Sequence, residues 1–278
     1  MVQLSIDMNF EHLIDFSNEY LRLVSGWVDP FPAPVLELHN GIYVVRDDLL
    51  DAGTKVRGAD YLIGHCPAHR NIKEWVYGSC PATGYAQISL PFLCNRYNKK
   101  AVIFMAARSM NKLHEYQKRG LSLGAEYRWI QDGMLNVTQK RAKDYVAEDP
   151  ETRALLPIGL EHPTVFACFI KVARSLPIIP QHVWSVGSSG TLSRALQLAW
   201  PRAEVHVVSS GGHNMNSREI GRAIFHPSKY KWNQTVKKSE MPPFPSAPEY
   251  DAKAWKPMLD YYETSERVDP VLFWNVGA

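Results

Sequence analysis

The chain has 278 residues, 45% hydrophobic and 21% charged, an ordinary balance for a soluble globular protein of one large domain or two modest ones. A formal charge of +3 is mildly basic and does not by itself indicate nucleic acid. No uninterrupted apolar run is long enough to cross a bilayer, and four cysteines (Cys66, Cys80, Cys94, Cys168) are few for the length, which favours a reducing, cytoplasmic location.

The opening MVQLSIDMNFEHLIDF carries acids and lacks a basic start followed by an apolar stretch, so it does not read as a secretion signal. Phe10, Leu13, Ile14, Tyr20, Leu21 and Leu23 recur at helical spacing. The proline-rich Asp29–Pro34 segment is an extended connector. Val35–Leu38 and Gly41–Val45 read as two strands around a His39-Asn40-Gly41 turn. A short helix after Lys55 passes through Asp60–Leu62, and then strands and helices alternate. Strands are expected at Glu74–Tyr77, Lys100–Met105, Glu126–Ile130 and Leu155–Gly159. Helices are expected at Ala86–Tyr97, at Met110–Gly120 with the glycine as terminator, and at Thr138–Glu148. A second block offers helix Thr164–Leu176, strand 182–186, helix 191–200 and strand Glu204–Val208. Residues 226–250 look irregular; a helix near Ala252–Tyr262 and an apolar segment, Val268–Trp274, follow. This alternation predicts an α/β fold with mostly parallel sheets flanked by helices.

Between strand 182–186 and the next helix lies Gly187-Ser188-Ser189-Gly190-Thr191. Glycines let the backbone approach a ligand, serine and threonine add hydroxyls, and a helix N-terminus favours an anion. The loop is neither a Walker A sequence, a GxGxxG fingerprint nor a Gly-x-Ser-x-Gly elbow. A phosphate cradle and a plain tight turn both remain open on this evidence.

Lys55 stands in Arg46-Asp47-Asp48-Leu49 … Gly53-Thr54-Lys55-Val56-Arg57. This stretch resembles the lysine segment of fold-type II pyridoxal-phosphate enzymes, nearest to the aminocyclopropane-carboxylate deaminase and cysteine desulfhydrase branch. Three further landmarks follow in order. Tyr77–Gly84 occupies the place of that family's substrate-carboxylate loop, Gly187–Thr191 resembles its phosphate loop, and Val268-Asp269-Pro270-Val271 resembles the segment bordering the pyridine nitrogen. There are departures: Thr83 stands where the family has a loop asparagine, and Phe273 aligns near its pyridine-nitrogen residue.

The resemblance implies a tryptophan synthase β-like architecture. A large cofactor-binding domain is expected from residues 1–57 plus 155–278, and a small domain from 58–154. It implies pyridoxal 5′-phosphate as cofactor, with Lys55 forming the Schiff base and Thr83, Gly187, Ser188, Ser189, Gly190 and Thr191 also binding the cofactor. Ser79, Cys80, Thr83 and Tyr85 are expected at the substrate; a packing tyrosine and a small buried thiol are the competing readings of Tyr85 and Cys80. The implied activity is a lyase reaction at Cα or Cβ of an amino-acid group (decarboxylation, deamination or elimination) in a homodimer. Two alternatives stand beside it. One is a bacteriophage decarboxylase of amino-acid-modified thymidine in DNA, which would work in the host cytoplasm. The other is a non-catalytic pyridoxal-phosphate-binding protein.

The DNA alternative draws on Lys229, Lys231, Trp232, Lys237 and Lys238, an alternation of cations and aromatics that suits single-stranded nucleic acid; a solvated loop is the competing reading. His65, Cys66 and His69 lack a matching fourth ligand nearby, so no metal site is expected. His213, after Gly211-Gly212, either lines the active site or caps a loop.

Overall fold

The computed structural model describes residues 10–212 and 214–278. The chain folds as two compact units: one joins the chain up to Gly58 with Glu161–Ala278, the other is Ala59–Leu160. The first unit begins with helix α1 (Phe10–Leu23), strands β1 (Leu36–His39) and β2 (Ile42–Arg46), and the first residues of helix α2 (Lys55–Asp60), which passes into the second unit at Ala59 and continues there as a π turn over Tyr61–His65. The second unit holds β3 (Glu74–Tyr77), α3 (Ala86–Arg96), β4 (Lys100–Ala106), α4 (Glu115–Ser122), β5 (Glu126–Ile130), α5 (Leu135–Ala147) and β6 (Arg153–Leu155). The chain then returns to the first unit through α6 (Pro163–Arg174), β7 (His182–Gly187), α7 (Thr191–Ala199), β8 (Glu204–Ser209), α8 (Ser217–Ile220), β9 (Ile224–His226), α9 (Ala252–Thr264) and β10 (Val271–Asn275).

The first unit carries a six-stranded sheet in the order β1-β2-β10-β7-β8-β9. Only β1 runs antiparallel to its neighbour; the other pairings are parallel. Every residue of β7 and β10 is buried, as expected for central parallel strands covered on both faces. Trp184, Val186, Val208, Val271 and Phe273 pack with Phe244 and with Ala254, Trp255 and Met258 of α9 into one apolar cluster. The second unit's four strands run β5-β4-β3-β6, all parallel. Val76, Val102 and Phe104 pack there against Ala142 of α5. This is the α/β architecture of parallel sheets and flanking helices that the alternation predicts. Among the described residues, no helix is long and apolar enough to cross a membrane.

One helix departs from expectation in an instructive way. Met110–Lys112 forms only a 3₁₀ turn, and α4 starts at Glu115 behind a His114/Gln117 capping box. It runs through Gly120 and ends just before Gly124, whose φ is +82°. Gly124 is the left-handed terminator. Gly120 serves packing instead, because a Cβ there would lie 2.1 Å from the Tyr127 hydroxyl oxygen.

Candidate functional site

The parallel strands β2, β10, β7 and β8 end along one edge of the sheet. The residues that leave them are Asp47, Val276, Ser188 and Ser210. Ligand sites of open α/β sheets gather at this carboxyl edge.

Asp47 organises the lysine turn. It is fully buried and accepts from the Thr54 hydroxyl at 2.7 Å, from Arg57 Nε at 2.9 Å and from Trp274 Nε1 at 3.3 Å. Arg57, itself buried, also pairs with Asp29 and donates to the Pro32 carbonyl at 2.8 Å. The Thr54 amide donates to the Val276 carbonyl at 2.9 Å. Burial pushes the Asp47 carboxyl up, and the Arg57 charge and the Thr54 donor pull it back. These bonds tie the ends of β2 and β10 to the start of α2, where Lys55 is the first helical residue.

Gly187–Thr191 joins β7 to α7. Gly190 has φ +69° and occupies the N-cap position, and no side chain caps the helix. A Cβ on Gly190 would lie 1.8 Å from the Glu219 carbonyl oxygen, so only glycine fits. Ser188 and Ser189 are half-buried, and the Ser189 and Thr191 hydroxyls lie 3.1 Å apart. Arg194, one turn along α7, braces the loop by donating to the Ser189 carbonyl at 3.2 Å and the Gly190 carbonyl at 3.3 Å. Glu161 neutralises this guanidinium at 3.2 Å.

Tyr250 and Asp251 connect the two elements. The Tyr250 side chain faces that of Ser188, and its ring centroid lies 5.9 Å from Lys55 Nζ. Asp251 is fully buried; its Oδ2 accepts from the amides of Val276 at 3.1 Å and Gly277 at 3.2 Å, while its Oδ1 has no hydrogen-bond partner. Burial raises the Asp251 carboxyl well above its usual range, and the Lys55 charge is the strongest opposing influence. Burial, and then Asp251, raise the Tyr250 phenol, which stays protonated at neutral pH. Lys253, in the first turn of α9, is buried too. It fixes the preceding irregular segment by donating to the carbonyls of Ser210 at 2.6 Å, Lys231 at 3.0 Å and Trp232 at 3.3 Å.

Lys55 and the 187–191 loop therefore share one neighbourhood, joined through Tyr250. Sequence reading missed Tyr250, Asp251 and Arg194. The first two close a proline-rich stretch of no regular pattern, and only the Glu249-Tyr250-Asp251 step before a helix marks them.

Ser79, Cys80, Thr83 and Tyr85 belong to the second unit. Ser79 has φ +53°; its hydroxyl donates to the Leu135 carbonyl at 2.7 Å, and its amide donates to Thr138 Oγ1 at 3.3 Å. Cys80 Sγ faces the carbonyls of Pro81 and Gly84. Thr83 and Tyr85 are half-buried, and the Tyr85 ring packs edge-on against Tyr116 with centroids 5.1 Å apart. Gln87, which the sequence did not single out, holds the loop by donating to the carbonyls of Ala82 at 2.7 Å and Gly84 at 2.8 Å.

In the basic segment, Glu240 takes up Lys229 at 2.8 Å and the Tyr230 hydroxyl at 2.8 Å. Lys231, Lys237 and Lys238 are exposed, and Trp232 is half-buried. His69 Nδ1 lies 3.4 Å from Cys66 Sγ, and His65 Nε2 lies 3.0 Å from the Tyr97 hydroxyl. His213 lies outside the described residues.

No protein-family model and no curated sequence matches the chain. Solved structures do. A crystal structure described as an ACC deaminase homologue superposes with a TM-score of 0.77 at 13% identity, covering 93% of this chain and 94% of its own. Threonine deaminase isoform 2 from Solanum lycopersicum gives 0.68 at 13% identity, covering 100% and 92%. Diaminopropionate ammonia lyase from Escherichia coli gives 0.59 at 13% identity, covering 100% and 94%. At such identities the likeness shows the fold, and the fold is the fold-type II architecture that the sequence resemblance implied.

Proposed function

We propose that this chain is a pyridoxal-phosphate-dependent enzyme acting at Cα or Cβ of an amino-acid group, with Lys55 as its essential amine. Pyridoxal 5′-phosphate is the cofactor that the fold implies. The residues present fit it. An uncapped helix N-terminus behind an obligatory glycine suits a phosphate, and Asp251 Oδ1 is a buried polar atom still lacking a partner. The observation that carries the reading is Tyr250, which sets its ring 5.9 Å from Lys55 Nζ and faces the Ser188 side chain of the 187–191 loop.

Gly187, Ser188, Ser189, Gly190 and Thr191 would hold the phosphate, and Lys55 would join the aldehyde carbon. When bound, the cofactor supplies a ring that draws electrons from bonds at the substrate's Cα. Lys55 Nζ is the group to hold or move a proton at that carbon. The half-buried lysine has the Tyr250 ring 5.9 Å from its Nζ and acts electrostatically on the Asp251 carboxyl, two groups whose burial favours their neutral forms. Ser79 and Thr83 are the proposed contacts to a substrate carboxylate, with Cys80 and Tyr85 beside them. The deaminase and lyase names of the structural neighbours support elimination and deamination as the first reactions to assay.

The test is direct. The protein is incubated with pyridoxal phosphate, reduced with borohydride, digested and weighed peptide by peptide. The cofactor mass should sit on the peptide bearing Lys55 and vanish in Lys55→Ala. A label on another lysine, or none, overturns the reading. Cofactor retention without product from any amine would instead favour the non-catalytic binder.

A polymer-borne substrate is the second reading, supported by the exposure of Lys231, Lys237 and Lys238 on one segment. It requires DNA binding that weakens with salt and with charge reversal at those three positions. Binding indifferent to both removes it.

A further inference from the structure

The opposite edge of the six-stranded sheet carries a second constellation. His182 opens β7, and Glu204 opens β8 directly across from it. His206 follows two residues along β8, on the same face as Glu204. His182 Nδ1 lies 3.3 Å from His206 Nε2 and 3.4 Å from Glu204 Oε1. The third side of the triangle, His206 Nε2 to Glu204 Oε1, is 3.0 Å.

Protons can serve at most two sides of such a triangle, whichever tautomers the rings adopt, because each imidazole nitrogen brings at most one. A cation serves all three corners together. A tetrahedral ion with bonds of about 2.0–2.1 Å has ligand-to-ligand edges of about 3.3 Å. Two imidazoles and one carboxylate are also a donor set that zinc accepts.

We infer that His182 Nδ1, His206 Nε2 and Glu204 Oε1 form a site for a zinc-type divalent cation, with a fourth position left for water. The surroundings hold the ligands in place. His206 is fully buried, and its Nδ1 lies 3.0 Å from His226 Nε2, a bond that directs the other nitrogen's lone pair toward the ion. Trp184 lies flat on the His206 ring, with centroids 4.1 Å apart and planes 1° from parallel. The Trp184 indole is itself fixed by Nε1 donating to the Tyr262 hydroxyl at 2.9 Å. The Tyr262 ring also meets His182 edge-on, with centroids 5.7 Å apart. Glu204, 43% exposed, gives the ion its way in and the water its place.

The site is separate from the lysine neighbourhood. Five residue steps along β7, about 16 Å, separate His182 from Gly187. It therefore acts as a clamp between the starts of two central strands, and it stands or falls independently of the pyridoxal reading. From the sequence, His65, Cys66 and His69 are weighed for a metal, and no metal site is expected. Among the described residues, the only group of three or more histidine, cysteine or acidic side chains able to hold an ion is this one.

The experiment titrates zinc chloride into chelator-stripped full-length protein and follows heat, stoichiometry by native mass spectrometry, and thermal midpoint. One equivalent should bind and raise the midpoint. Glu204→Gln and His182→Gln should each weaken zinc at least about tenfold. The half-exposed Glu204 can change without disturbing the metal-free fold, so the metal-free midpoint of that variant should match the wild type. His226→Gln, which keeps all three ligands, should also weaken zinc by about tenfold if it orients His206. Absence of stoichiometric uptake overturns the site. So does either ligand variant binding zinc as the wild type does.

Discussion

At their C-terminal ends, β7 and β8 give way to Gly187-Ser188-Ser189 and to Ser210-Gly211, short residues whose side chains leave the backbone there open to approach. At their N-terminal ends the same strands begin with His182 and Glu204, long side chains that converge on one another. The difference follows from the polarity of a strand–helix unit. Helix α7 starts at the first edge and returns its C-terminus toward the second, so amide donors gather at one and carbonyl acceptors at the other. An anion suits the first and a cation the second. One sheet thereby offers two sites of opposite electrostatic taste without altering its core.

The comparison breaks most severely if Asp47 is removed. Asp47→Ala leaves the buried Arg57 with Asp29 as its remaining carboxylate and strips Thr54 and Trp274 of an acceptor. A loss on the order of 3–5 kcal/mol is expected in urea denaturation. A loss below about 1 kcal/mol would show that this clamp is not what holds the lysine turn. Gly190→Ala comes next. The left-handed backbone alone costs about 1–2 kcal/mol in a residue with a Cβ, and the Glu219 carbonyl leaves no space. Cofactor titration should weaken at least about tenfold, the equivalent of 1.4 kcal/mol. Normal affinity in a folded Gly190→Ala protein would move the phosphate elsewhere.

Tyr250→Phe sharpens the picture more gently. It keeps the ring beside Lys55 and removes the hydroxyl that faces Ser188, at a cost of about 0.5–1.5 kcal/mol in cofactor affinity. Ser188→Ala should cost a similar amount, and the double variant should cost less than the sum of the two. Strict additivity would show that the two side chains do not act as a pair. The smallest effect belongs to Glu204→Gln, which should leave cofactor affinity within about 0.5 kcal/mol because the two edges share no partners. A larger change would mean that the strands transmit what happens at one end to the other.

Much of this arrangement was legible in the residue order. Strand and helix alternation marked both sheets, because apolar runs such as Val102–Met105 have few other uses. The loop at 187–191 was legible because glycine and serine between a strand and a helix narrow the backbone's options. Two kinds of feature were not. Gly120 looked like a helix end, and only the approach of Tyr127 from strand β5 reveals it as a packing residue. His182 and Glu204 are far apart in the chain, and they meet because β7 and β8 pair in one particular register. Tyr250 reaches the lysine by way of an irregular segment whose course is set by Lys253 and three backbone carbonyls. No local pattern encodes any of these meetings.

Strand β10 lies between β2 and β7, with Leu272 opposite both Tyr43 and Val183. During synthesis β2 emerges long before its neighbour, so the middle of the sheet must wait for a segment more than about 200 residues further on. Until then both flanking strands show unsatisfied backbone to the solvent, and a nascent chain of this kind is a natural client for chaperones. Deleting Leu272, Phe273 and Trp274 would therefore split this sheet, leaving a gap between β2 and β7.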